Sequence, residues 1–195
     1  MPIKNWKKEL LTIPNALSLF RIVLIPVYVA IYLNARNRSD YFLAAAILAV
    51  SCLTDMIDGK IARHFNMITT IGKILDPLAD KATQLTLIIC LSIKYPILLY
   101  LLGLFIVKES FQLIAGGINL HKGKMLKGAL ISGKICTTVL FISLIFMVLI
   151  PEIHKTVVTI IALVDTIFML ISFGEYLITY HCRDHEFQKI DPTEN

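Results

Sequence analysis

Residues 55–80 read Asp55-Met-Ile-Asp58-Gly59-Lys-Ile-Ala62-Arg63-His-Phe-Asn-Met-Ile-Thr-Thr-Ile-Gly72-Lys-Ile-Leu-Asp76-Pro77-Leu-Ala-Asp80. Four aspartates in so short a stretch are ordinary in a water-soluble chain. Here apolar runs long enough to cross a bilayer flank them on both sides. An acid at the centre of a spanning helix costs roughly 2.5–3.5 kcal/mol, so four cost on the order of 10 kcal/mol. A divalent cation is the simplest group that offsets such a cluster.

The spacing says how the cluster is built. Asp55 and Asp58 are three apart, and Asp76 and Asp80 are four apart. At about 100° per residue, either spacing puts its pair on one helix face. Gly59 and Ala62 extend the first face, and Gly72 lies one turn before Asp76. Two helices that meet through a short polar turn therefore form an all-oxygen pocket. Such a pocket suits Mg²⁺, Mn²⁺ or Ca²⁺ rather than thiophilic metals. Four carboxylates can bridge two ions, a geometry that clamps a phosphoryl group in transfer. Gly59, Ala62 and Gly72 let a bulky ligand approach the backbone. Arg63 offers a planar fork to a phosphate oxygen. Together these residues describe a metal-bound diphosphate carrying a nucleotide. Solvated helix caps account for any one of the aspartates, but not for four at this spacing with Gly, Ala and Arg between them. Pro77 is expected to kink or restart the helix that bears Asp76 and Asp80.

The rest of the chain supplies the setting. It has 195 residues, 56% of them hydrophobic, and a mean hydropathy of +0.73. That combination indicates one integral membrane domain. Apolar stretches near 14–34, 40–60, 73–94, 96–117, 132–150 and 155–179 can each span. The expected fold is an all-α integral membrane protein with six transmembrane helices. A short interfacial helix around Lys4, Trp6, Lys7 and Lys8 is expected to precede them. The membrane domain is read as 1–180, followed by a polar, loosely ordered tail, 181–195. No small-residue cleavage site precedes Arg21, so no secretory signal is expected.

With the N-terminus in the cytoplasm, most lysines and arginines fall inside, and Arg36, Arg38, Lys94 and Lys155 fall outside. This orientation puts residues 55–80 at the cytoplasmic ends of the second and third helices. The net charge of +5 then faces anionic lipid rather than nucleic acid. The cysteines Cys52, Cys90, Cys136 and Cys182 are far apart and show neither metal spacing nor a disulfide pattern.

The pattern Asp-x2-Asp-Gly-x2-Ala-Arg-x8-Gly-x3-Asp-x3-Asp resembles the signature of the CDP-alcohol phosphatidyltransferases, with every position present from Asp55 to Asp80. Ile13-Pro14-Asn15-Ala16-Leu17-Ser18-Leu19-Phe20-Arg21 is similar to the Pro-Asn-x-Leu-Thr-x-x-Arg opening of that family's phosphatidylglycerophosphate synthase branch. The resemblance implies a homodimer of six-helix subunits in the cell (inner) membrane, with its active site on the cytoplasmic side. It implies two Mg²⁺ or Mn²⁺ ions held by Asp55, Asp58, Asp76 and Asp80, with Asp80 also the general base. Asp58, Gly59, Ala62, Arg63, Gly72 and Asn15 would bind CDP. The implied reaction transfers a phosphatidyl group from CDP-diacylglycerol to an alcohol and releases CMP. A carboxylate within reach of the acceptor hydroxyl can take its proton, and the metals neutralise the diphosphate.

The acceptor alcohol is encoded elsewhere. Lys108-Glu109 resembles an Arg-Glu pair of the synthase branch, and Gly133-Lys134-Ile135-Cys136-Thr137 resembles its Gly-Lys-x-Lys-Thr segment. Lys108, Lys127 and Lys134, with Arg21 and Lys81 contributing, form the expected acceptor site, which favours glycerol 3-phosphate. Two departures weaken that pocket: Gly116 stands where the pattern has an arginine, and Cys136 where it has a lysine. They keep open a cardiolipin synthase of the same family, with phosphatidylglycerol as acceptor, or another alcohol. Lys108 and Lys134 also have a plainer reading as snorkelling lysines. Glu109 points about 100° away from Lys108 along a helix, which leaves their pairing open. Asp165 and Glu175 read as dimer contacts or partners of a basic helix, and Gly116-Gly117 as a helix end. The histidines show no ligand spacing. Outside enzymology, a small ion-coupled transporter would spread its acids through the membrane depth and show repeat symmetry. Here the acids cluster at one depth and no repeat is present.

Overall fold

The computed structural model describes residues 12–64, 72–121, 124–126, 130–150, 152–182 and 187–189. Six helices carry the fold: α1 Ile13–Asn34, α2 Arg38–His64, α3 Gly72–Lys94, α4 Leu98–His121, α5 Ile131–Leu149 and α6 Lys155–Cys182. The expected interfacial helix lies outside the described residues. The helices α1, α4, α5 and α6 are long and apolar enough to cross a membrane. The other two, α2 and α3, are also long, at 27 and 23 residues, but carry the acids and lysines of the aspartate segment. The chain divides into two compact units, Met1–Lys94 with Leu144–Glu152, and Tyr95–Ser143 with Ile153–Asn195.

In the first unit α1 packs against both α2 and α3. A proline in the first turn starts α1, where its missing N–H costs nothing. The core is Tyr28 and Tyr32 of α1, Ala44, Ala45 and Leu48 of α2, and Leu87, Ile88 and Leu91 of α3. Alanines at 44 and 45 let α2 approach the tyrosine face of α1 closely, as small residues do between membrane helices. The N–H groups of Arg36 and Asn37 donate to Asp40 Oδ2 at 2.8 and 3.0 Å. This acid at the third helical position satisfies donors that α2 cannot pair internally. Arg38 donates to Glu152 at 2.7 Å, and Lys94 lies 5.0 Å from the Tyr41 ring centre. These contacts gather the α1–α2 loop, the end of α3 and the loop after α5 at one end of this unit. The guanidinium of Arg38 holds the Glu152 carboxyl below the usual carboxylate range. Both side chains are exposed, so the pair adds little stability.

In the second unit α4 packs on α6. Buried residues of α6 are Val158, Ala162, Asp165, Met169, Ser172, Tyr176 and Thr179. Their alternating steps of four and three trace one seam along the helix. Its opposite face exposes Leu163, Ile167, Leu170 and Ile171. Polar groups inside and aliphatic groups outside is the pattern of a helix that faces lipid. After α4, strand β1 (Lys124–Leu126) pairs antiparallel with β2 (Phe187–Lys189). Part of the polar tail is therefore a strand and not loose chain.

Two helix expectations are corrected. α3 does not restart at Pro77; it begins at Gly72 and runs through the proline. Pro77 removes the bond to the carbonyl four residues back, in a helix that packs on α1. The Gly116-Gly117 pair does not end α4, which continues to His121. Gly116 faces the Tyr180 hydroxyl of α6, where an added Cβ would sit 3.5 Å away, at ordinary van der Waals distance. No disulfide joins the cysteines.

Candidate active site

Asn15, Ser18 and Arg21 recur at three-residue steps along α1 and are all buried, the least exposed being Ser18 at 0%. Polar side chains on an otherwise apolar helix must find partners inside the protein. Ser18 Oγ donates to Asp76 Oδ1 on α3. A hydrogen bond to a charged acceptor contributes about 1.5–3 kcal/mol, and here it fixes the direction of one carboxylate. Asp80 stands one turn further along α3, half-buried like Asp76, with Lys81 beside it. Thr83 and Gln84, both buried, continue the polar seam, as does Ser51 on α2. Gly72, at the start of α3, is also buried.

Asp55, Asp58, Gly59, Ala62 and Arg63 belong to the C-terminal half of α2. Their side chains lie outside the described residues, as does Lys127. Among the described residues no three His, Cys, Asp or Glu side chains gather. The donor chemistry still fits a hard divalent ion. Asp76 and Asp80 are carboxylates one helical turn apart, and the group that contacts Asp76 is a hydroxyl. Carboxylate and hydroxyl oxygens of this kind suit Mg²⁺ or Mn²⁺.

The basic residues divide between the units. Arg21 and Lys81 belong to the first, Lys108 and Lys134 to the second. The side chain of Lys108 is 2% exposed, and its Nζ lies 2.8 Å from Glu109 Oε1. Adjacent helical positions diverge at the backbone, but these long side chains bend together, so the pairing left open by the sequence is made. Glu109→Gln strands a buried ammonium. We expect a loss of about 3–5 kcal/mol, read as a lowered melting temperature in detergent; an unchanged melt would show that the pair is not an internal one.

Lys134 is exposed in the first turn of α5. Its N–H donates to the Leu130 carbonyl at 3.1 Å, and its own carbonyl accepts from the Thr138 hydroxyl at 2.8 Å. Cys136 is buried, so the lysine missing from the family pattern is missing from an inward-facing position. Asp165 is not a dimer contact. It is 1% exposed and accepts from the Ser143 hydroxyl at 3.0 Å within its own unit.

A family model described as CDP-alcohol phosphatidyltransferase matches residues 11–171. The chain belongs to this family. Among its relatives is a cardiolipin synthase (CMP-forming) of Streptomyces coelicolor, 33% identical over 118 residues, covering 59% of this chain and 54% of that one. The chain thus spans about half the length of that relative. A CDP-diacylglycerol–glycerol-3-phosphate 3-phosphatidyltransferase of Aquifex aeolicus is 30% identical over 179 residues, covering 86% of this chain and 95% of the other. The protein of the same name in Escherichia coli is 45% identical over 69 residues, 35% of this chain and 37% of that one.

In this family member, the one-turn spacing of Asp76 and Asp80 was legible from the sequence. Ser18, Ser51, Thr83 and Gln84 were not singled out. The signal for Ser18 was present in the three-residue recurrence Asn15–Ser18–Arg21.

Proposed function

We propose that the protein transfers the phosphatidyl group of CDP-diacylglycerol to glycerol 3-phosphate, giving phosphatidylglycerophosphate and CMP. The observation that carries this reading is the near end-to-end match to the Aquifex aeolicus enzyme of that name, over 95% of its length. The complete signature from Asp55 to Asp80 supports the donor half.

Each residue then has a task. Asp80 takes the proton of the attacking hydroxyl. Ser18 holds the Asp76 carboxylate in place. Arg63 binds a phosphate oxygen, and Gly59, Ala62 and Gly72 leave room for the nucleotide beside Asp58 and Asn15. Asp55, Asp58, Asp76 and Asp80 would hold two Mg²⁺ or Mn²⁺ ions, which would supply charge neutralisation to the diphosphate. Lys108, Lys127, Lys134, Arg21 and Lys81 serve the acceptor. The full arrangement is a homodimer of six-span subunits in the inner membrane, its site open to the cytoplasm, so that the lipid tails stay in the bilayer during transfer.

A second reading has specific support. The Streptomyces coelicolor relative is named a cardiolipin synthase, and Cys136 and Gly116 replace two cations of the glycerol-3-phosphate pattern. Phosphatidylglycerol is then the acceptor. Supplying each acceptor in turn and identifying the lipid product separates the two: cardiolipin from phosphatidylglycerol, with nothing from glycerol 3-phosphate, would exclude the first reading. For the leading reading, Lys134→Ala should raise the acceptor KM about tenfold, the loss of one charge-assisted contact. The KM for CDP-diacylglycerol should barely change. An unaltered acceptor KM would remove Lys134 from the pocket.

A further inference from the structure

Tyr176 on α6 joins the two elements that carry Lys108 and Lys134. It is 6% exposed. Its hydroxyl faces the backbone of Leu130, just before α5, and the side chain of Gln112 on α4. Gln112 lies one turn beyond Glu109, the partner of Lys108. The same hydroxyl presses on Gly133: a Cβ there would sit 2.8 Å from it and 3.0 and 3.3 Å from two ring carbons. Glycine at 133 is thus needed for close approach of the ring, and the next residue is Lys134. The ring itself is held from behind. Tyr176 stacks on Tyr180 at 6.2 Å between centroids, and Tyr180 meets Phe111 of α4 edge-on at 6.1 Å.

We infer that Tyr176 is a positioning residue for the acceptor: its hydroxyl sets the first turn of α5, and with it Lys134, against the Gln112–Glu109–Lys108 side of α4. This rests on the proposed acceptor site but adds a residue that neither the motif nor the lysines disclose. A buried tyrosine needs partners for its hydroxyl. Here those partners come from the two segments that must be held in register. Tyr176 acts through Lys134 and Lys108 and touches no reacting atom.

The test is Tyr176→Phe, which keeps the ring, its stack on Tyr180 and its contact with Gly133, and removes only the hydroxyl. The acceptor KM should rise about three- to tenfold, the equivalent of one hydrogen bond. The KM for CDP-diacylglycerol and the melting temperature in detergent should stay near wild type. Gly133→Ala should show a larger acceptor defect, and that defect should shrink in the Gly133→Ala/Tyr176→Phe double variant, because the atom the new methyl meets first is gone. Equal changes in both KM values, no change in either, or strict additivity in the double variant would overturn the inference. The wild-type acceptor panel is run first. If phosphatidylglycerol is the working acceptor, the KM split is measured with it, so a wrong acceptor and a wrong role for Tyr176 give different results.

Discussion

Asp80→Asn is expected to lower kcat by about a thousandfold, within the 10²–10⁴ range for loss of a positioned general base, while CDP-diacylglycerol still binds. Asparagine has the size of aspartate and keeps one carbonyl oxygen for a cation, but it cannot accept the hydroxyl proton. Asp80 is suited to the task by its place on α3. It stands one turn beyond Asp76, whose carboxylate Ser18 contacts, and it is half-buried. Substrate binding in the variant is checked directly, by retention of labelled CDP-diacylglycerol on the purified protein. A kcat near that of the wild type would remove Asp80 as the base. Loss of binding together with turnover would make it chiefly a ligand.

Removal of divalent cations is expected to be at least as severe. The signature places Asp55 and Asp58 on α2 and Asp76 and Asp80 on α3, a density of negative charge that a diphosphate cannot approach unaided. Chelation should therefore suppress CMP release by about a thousandfold or more, the scale expected when the charge-stabilising group of a phosphoryl transfer is lost. Mg²⁺ or Mn²⁺ should restore it. A binding readout is independent of turnover: a cation present at 100 times its dissociation constant stabilises the folded protein by about 2.7 kcal/mol, seen as a higher melting temperature. Activity that survives exhaustive chelation would end the metal reading.

The sequence disclosed local spacing better than it disclosed contacts between helices. Aspartate spacing is a local property, governed by helical periodicity, so the placing of Asp76 and Asp80 one turn apart on α3 could be read directly. The Ser18–Asp76 contact links positions 58 apart in sequence, and no local rule reports such a pairing. Pro77 and Gly116 misled for the same reason. Both are local breakers of helix, but α3 runs through Pro77 while packed on α1, and α4 runs through Gly116 to His121. Lys108 and Glu109 show the reverse case: backbone geometry argues against pairing, and burial compels it. Four spans follow from apolar length. The other two helices, α2 and α3, carry the signature aspartates, whose charge lowers the hydropathy by which a span is recognised.

The most direct test of the central claim is to quantify CMP and lipid product together. Purified protein would be supplied with CDP-diacylglycerol, glycerol 3-phosphate and Mg²⁺. The predicted result is equal molar amounts of CMP and phosphatidylglycerophosphate, neither formed when the alcohol is omitted. CMP released without a lipid product, or no CMP with any alcohol, would contradict it.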